Sequence, residues 1–196
     1  MNQMKQFKAF ILSISLLTLL PVSSLFAQTY KFQELGIEDG ICHPFVYTIN
    51  QDAGGYLWLG TGEGLCKYDG FDFDDDFTED TLPTAFVKKS LKDSEGNLWF
   101  GHNDGSITFY DGRDFHVIDP GARITSTING IAEDKEGRII FATQNQGLII
   151  INNELQSTLI RDPFNRKLIS SVAFTGEGML LVGAYDGLHA YAYDFS

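Results

Sequence analysis

Four histidines, His43, His102, His116 and His189, are the side chains best suited to proton transfer or metal binding at neutral pH. Their spacing matches no ligand pattern. The chain also has no Gly-x-Ser-x-Gly elbow and no glycine-rich phosphate loop. An acidic run, Asp72, Asp74, Asp75, Asp76, Glu79 and Asp80, has the oxygen donors that calcium prefers. It lacks the interleaved glycine of a calcium loop, however, and its alternation with Phe71, Phe73 and Phe77 suits an outer strand with one solvated face. No catalytic residue, metal site or cofactor is expected. The glycines answer to a different rule, because they recur at a fixed interval.

That interval is 41 residues. Gly55-Tyr56-Leu57-Trp58-Leu59-Gly60-Thr61 returns as Gly96-Asn97-Leu98-Trp99-Phe100-Gly101-His102. It returns again as Gly137-Arg138-Ile139-Ile140-Phe141-Ala142-Thr143 and Gly178-Met179-Leu180-Leu181-Val182-Gly183-Ala184. Asp52, Asp93 and Asp134 share a column in which the fourth copy has Thr175. Val46, Val87, Ile128 and Ile169 form another. A period near 40 residues built from strand-like runs marks propeller blades. The three central residues of each Gly55-type run are apolar, which implies burial on both faces between neighbouring sheets. An aspartate entering a turn can accept hydrogen bonds from amides further on, so Asp52, Asp93 and Asp134 read as turn residues.

The expected fold is therefore all-β: a β-propeller of four-stranded antiparallel blades. The blades fall near 45–77, 85–117, 126–160 and 168–194, and an N-terminal strand at 30–35 is available to close the last one. The turn at Gln144-Asn145-Gln146-Gly147 is expected to be one residue longer than its counterparts. Two arrangements follow, a closed four-blade ring or the front piece of a larger propeller. In a propeller, the turns from second to third strand and the connections between blades share one face around the axis. That face would carry His43, Glu63, His102, Asn103, Asp104, Arg123, Asn145, Tyr185 and Asp186. Polar groups beside Tyr185 would suit a sugar, through hydrogen bonds and ring stacking. The alternative is that these are ordinary turn residues.

The segment Ile49-Asn50-Gln51-Asp52-Ala53-Gly54-Gly55-Tyr56-Leu57-Trp58-Leu59-Gly60-Thr61, continuing through Gly64-Leu65 to Tyr68-Asp69-Gly70, resembles the two-component regulator propeller repeat. The lead-in from Gly40 to Val46 resembles the opening of such sensor domains. The second repeat keeps Asp93, Leu98-Trp99, Gly101 and Tyr110-Asp111-Gly112, with His102 where threonine is usual, and the third and fourth lose the tryptophan. The resemblance implies the exported sensor portion of a bacterial hybrid two-component histidine kinase, itself non-catalytic and an N-terminal fragment of such a protein. It would detect a carbohydrate or other extracellular ligand and act through a downstream kinase module or a partner protein, with a homodimeric parent left open. Two other readings stand beside it: a scaffold for protein–protein interaction or secretion-system assembly, and a polysaccharide-active propeller enzyme, for which an acid pair is wanting.

Residues 1–27 read as a secretory signal peptide. Lys5 and Lys8 precede the apolar run Phe10 to Leu20, then Pro21 and the small-residue exit ending at Ala27. An uncleaved N-terminal anchor is the alternative. The remainder, 28–196, has no second long apolar run, so no membrane insertion is expected after the signal is removed, and a periplasmic or extracellular location follows. The formal net charge of −12 becomes more negative once the leader's lysines leave, which argues against nucleic acid and anionic lipid as partners. Cys42 and Cys66 lie where a disulfide could persist; a bridge and two half-buried thiols are both open.

Overall fold

Two-residue alternation and short glycine turns generate a chain of hairpins, each repeat making one sheet. The computed structural model describes residues 31–75, 82–83, 86–121, 123–164 and 167–192. The first blade contains β1 (Val46–Gln51), β2 (Leu57–Thr61), β3 (Gly64–Tyr68) and β4 (Phe73–Asp74). The second contains β5 (Val87–Lys92), β6 (Leu98–His102), β7 (Ile107–Tyr110) and β8 (Phe115–Ile118). The third contains β9 (Ile128–Glu133), β10 (Ile139–Thr143), β11 (Leu148–Ile151) and β12 (Ser157–Ile160). The fourth contains β13 (Ile169–Phe174), β14 (Leu180–Ala184) and β15 (Gly187–Tyr191). Every sheet is antiparallel in chain order, the meander of a propeller blade.

The inner strands pack in sequence, β1 on β5, β5 on β9 and β9 on β13, so the sheets form an arc of a propeller rather than a closed ring. The expected closing strand at 30–35 is not found. Residues 31–35 form no strand, and Tyr30 lies outside the described residues, as does the leader. Alternation alone does not make a strand, because its backbone groups need an edge to pair with. The described residues 31–34 have no regular structure; residues 35–196 form a unit of their own. Of the acidic run, Asp76, Glu79 and Asp80 lie outside the described residues.

The core lies between blades. Trp58 and Leu65 pack with Val87, Leu98 and Phe100; Trp99 and Ile107 with Ile128, Ile139 and Phe141; Ile140 and Leu148 with Ile169, Leu180 and Val182. The middle strands are buried on both faces accordingly. Close approach explains the glycine column. A Cβ on Gly60 would sit 2.5 Å from Thr48 and 2.8 Å from Val87 of the next blade.

Cys42 and Cys66 are joined by a disulfide, their Cα atoms 5.8 Å apart, which resolves the open alternative. A 3₁₀ turn at Ile37–Asp39 and Gly40, at φ 96°, bring the lead-in to blade one, where Cys66 is fully buried. The turn lengths also differ from expectation. Gly60 pairs with Leu65 and Gly183 with Leu188, whereas Gly101 pairs with Ile107 and Ala142 with Leu148. The extra residue is thus present in blade two as well as blade three, hidden there because Gly105 stays in the glycine column while sitting inside the turn.

All four inner strands share one irregularity. Val46 pairs with Thr61 and Thr48 with Gly60, leaving Tyr47 bulged. The same shift leaves out Lys88, Asn129 and Ser170 in the next three blades.

Candidate functional site

Each turn between second and third strand is tied to the segment entering an inner strand. In blade two, the Asn103 amide donates to the Phe86 carbonyl at 3.2 Å, and the Asn103 carbonyl accepts from Thr127 Oγ1 of the next blade at 2.8 Å. In blade three, the Asn145 amide donates to Ser126 Oγ at 3.0 Å, and the Gln144 carbonyl accepts from the Ile169 amide of blade four at 2.8 Å. In blade four the Tyr185 amide donates to the Leu168 carbonyl at 3.0 Å. These bonds assemble turns and blade connections into one polar rim.

His43 lies against blade one's turn, since a Cβ on Gly62 would come within 3.1 Å of its ring. Its Nδ1 accepts from the Phe45 amide at 3.1 Å. Glu63 beside it is exposed, and its amide donates to Thr61 Oγ1 at 3.1 Å. Asp104 folds back on its own turn, with Oδ1 accepting from the Ser106 amide at 2.9 Å and from Ser106 Oγ at 2.6 Å. Arg123 is exposed in the connection between blades two and three. Tyr185 is 91% exposed, a ring presented to solvent.

His102 departs from this group. It is fully buried, with Nε2 2.9 Å from Thr108 Oγ1. Its column explains why: Thr61 and Thr143 donate their hydroxyls to Gly64 and Gly147 carbonyls across the same turn. The side chain at this position closes the hairpin from within and does not reach the rim.

Asp186 sits in a small cluster that the spacing of the sequence did not suggest. Lys167 Nζ donates to Oδ2 at 2.6 Å and His189 Nε2 to Oδ1 at 2.8 Å. The Lys167 bond first, and the His189 bond second, hold the Asp186 carboxyl at about 2, so it is ionised across the physiological range. The nineteen-residue gap between Lys167 and Asp186 crosses a whole hairpin, so only the blade's own periodicity could have linked them.

Between blades three and four the rim opens into a groove of about 410 Å³. Asn129, Gln144, Leu168, Ser170 and Tyr185 line it, and no carboxylate is among the lining residues. Amides, a hydroxyl, an aliphatic side chain and a phenol can bind by hydrogen bonds and apolar contact. They do not supply an acid and a base. Among the described residues no group of three or more histidine, cysteine or acidic side chains is placed to hold a metal ion, and no helix is long and apolar enough to cross a membrane.

No family model matches the sequence, and no curated protein matches it. Solved structures do match. The extracellular domain of the hybrid two-component system BT3049 from B. thetaiotaomicron superposes with a TM-score of 0.64 at 26% identity over 77% of this chain. The resemblance to two-component sensor propellers extends to three dimensions. The extracellular domain of BT4673 from the same organism gives 0.63 at 23% identity over 84% of this chain. The chain spans only 21% and 22% of those two structures. Virginiamycin B lyase from Staphylococcus aureus gives 0.58 at 12% identity, over 73% of this chain and 54% of its own, a likeness of fold alone.

Proposed function

We propose that the chain is part of an exported, non-catalytic sensor propeller of a two-component system. It detects an extracellular ligand, a carbohydrate in the first instance, at the rim formed by its turns. The observation that carries this reading is the match to the extracellular domain of the BT3049 two-component system at 26% identity over 77% of the chain. The groove beside Tyr185 supports it, having hydrogen-bonding groups and an exposed ring without paired carboxylates. A signal peptide at residues 1–27 would deliver the domain to the periplasm or cell surface, and output would come from a kinase module or a partner protein.

The test is ligand binding by the full chain without turnover. A panel of neutral, uronate-containing and sulfated oligosaccharides is screened by thermal shift, and hits are followed by chromatography of the sugar. A ligand present at a hundredfold its Kd stabilises the folded state by about 2.7 kcal/mol, readily seen as a rise in Tm. Stabilisation with the sugar recovered intact supports the sensor. Release of shortened or unsaturated products would replace it with an enzyme, and no shift with any member would remove carbohydrate as the signal.

A further inference from the structure

The bulge in every inner strand falls at the same step of the repeat: Tyr47, Lys88, Asn129 and Ser170 are 41 residues apart and each is passed over by the pairing. A bulge opposes two residues to one, bends the strand and re-aims the extra side chain. One such bulge can be local accommodation. Four in register build a repeated device at the rim end of the strands nearest the propeller axis. The two bulged side chains whose contacts reach the next blade show the direction. The Tyr47 ring lies 4.8 Å from that of Phe86, the residue leading into β5, and Asn129 Nδ2 donates to the Ile169 carbonyl at 2.8 Å.

The residue types at this step have no packing logic in common. The preceding column is Val46, Val87, Ile128 and Ile169, apolar throughout, three of the four all but fully buried. The bulge column holds a phenol, an ammonium, a carboxamide and a hydroxyl. Tyr47 is 45% exposed, Ser170 is exposed, and Lys88 and Asn129 are half-buried. Asn129 and Ser170 already line the groove beside Tyr185. Lys88 has no carboxylate partner among the described residues.

We infer that Tyr47, Lys88, Asn129 and Ser170 are the ligand-contacting residues of this propeller, and that their ligand is an acidic saccharide. The inference rests on the sensor reading and deepens it. Tyr47 offers a ring face to a sugar's C–H surface. Asn129 has a second amide hydrogen and its carbonyl oxygen for the sugar's hydroxyls, and Ser170 Oγ, which donates to the Gly183 carbonyl at 3.1 Å, can accept from them. Lys88 offers a point charge to a carboxylate or sulfate. The chain's overall negative charge does not oppose this. Exposed charges more than about 10 Å away are screened at ordinary ionic strength, and on the rim the Asp186 charge is answered by Lys167. The turn residues Glu63 and Asp104 then act as border, not as contacts.

The full chain is titrated calorimetrically with tri-galacturonate and with its neutral counterpart, galactotriose. Tri-galacturonate is expected to bind at least tenfold more tightly. Lys88→Gln and Tyr47→Ala each weaken it tenfold or more, whereas Lys88→Arg and Tyr47→Phe hold it within about threefold. Glu63→Ala and Asp104→Ala leave it unchanged; circular dichroism checks that every variant is folded, since Tyr47→Ala gives up the Phe86 ring contact and Asp104→Ala two turn bonds, each with a small fall in Tm. Binding that survives Lys88→Gln and Tyr47→Ala but is lost in the turn variants overturns the inference while leaving the sensor reading in place. Equal binding of both trisaccharides overturns the acidic specificity, and binding of neither overturns the inference outright; the wider panel above decides the sensor reading separately.

Discussion

At Asp93 one carboxylate gathers four donors. Oδ1 accepts from the amides of Glu95 and Asn97, and Oδ2 accepts from Asn97 Nδ2 and, at 2.8 Å, from the indole Nε1 of Trp99. Asp52 binds Trp58 in the same way at 2.8 Å. Blade three has no indole, and there Arg138 Nε donates to Asp134 Oδ2 at 2.6 Å. The acidic column thus anchors the turn to the strand that follows it. In blade four, the Thr175 hydroxyl accepts from the Met179 amide, at 3.1 Å, with no second side-chain bond among the described residues. Asp93→Ala strands the buried Trp99 N–H together with two backbone amides, and should lower stability by about 3 kcal/mol. Thr175→Ala should lower it by about 1 kcal/mol. Urea unfolding followed by tryptophan fluorescence measures both, and equal losses would remove the indole bond from the account. Two exposed carboxyls add a pH dependence. Asp111 is held at about 2, mainly by the Asp114 amide and then by His116, and Asp186 at about 2 by Lys167 and His189. Both lie below the ordinary 3.8, so their contribution is complete above pH 3.8 and is lost as pH falls toward 2. Stability measured from pH 5 to pH 2 should decline, and the Asp111→Asn, Asp186→Asn double variant should decline less steeply.

Within a blade, the first and second strands share space by a rule of one small residue per pair. Thr48 faces Gly60, Lys89 faces Gly101 and Ser171 faces Gly183; in blade three the glycine changes sides and Gly130 faces Ala142. A Cβ on Gly60 would meet both Thr48 and Val87, so Gly60→Ala overpacks a site already at interior density and should cost about 1–3 kcal/mol. Adding Thr48→Gly reproduces the blade-three arrangement and should recover part of that loss, leaving the Val87 contact as the remainder. A double-mutant cycle by chemical denaturation measures the coupling, and simple additivity would refute a shared volume. This swap was not legible in the sequence, because only pairing reveals which residue faces which. The same holds for the bulges and for the longer turn in blade two. Periodicity gave the strands and the buried middle runs directly, since it records which faces are covered. It did not reveal that His102 turns inward, or that Lys167 and His189 close on Asp186, because both depend on contacts between elements and not on spacing along one.

Across the molecule, coverage of the blade faces is unequal, and the Leu65 column measures it. Leu65, Ile107 and Leu148 are fully buried against the blade that follows each, whereas Leu188, at the same step of blade four, is 71% exposed. At the other end, blade one's face receives the lead-in through the Cys42–Cys66 bridge, so the arc is closed off on one side by covalent means and left apolar on the other. Stability should therefore be stored in the interfaces between blades, as in other repeat arrays where each unit leans on its neighbours. Leu65→Ala empties a filled interface and should cost about 2–5 kcal/mol. Leu188→Ala removes a side chain already in water and should stay within about 0.5 kcal/mol. Cys42→Ala, Cys66→Ala releases a closed loop of some 24 residues and should cost about 3 kcal/mol, with earlier proteolysis of the lead-in while the blades stay folded. Thermal and urea unfolding of the three variants, with limited proteolysis of the third, measures the ordering. A Leu188→Ala loss as large as that of Leu65→Ala would mean that the fourth blade's outer face is covered in solution, and would shift the stability of the arc from its internal interfaces to that face.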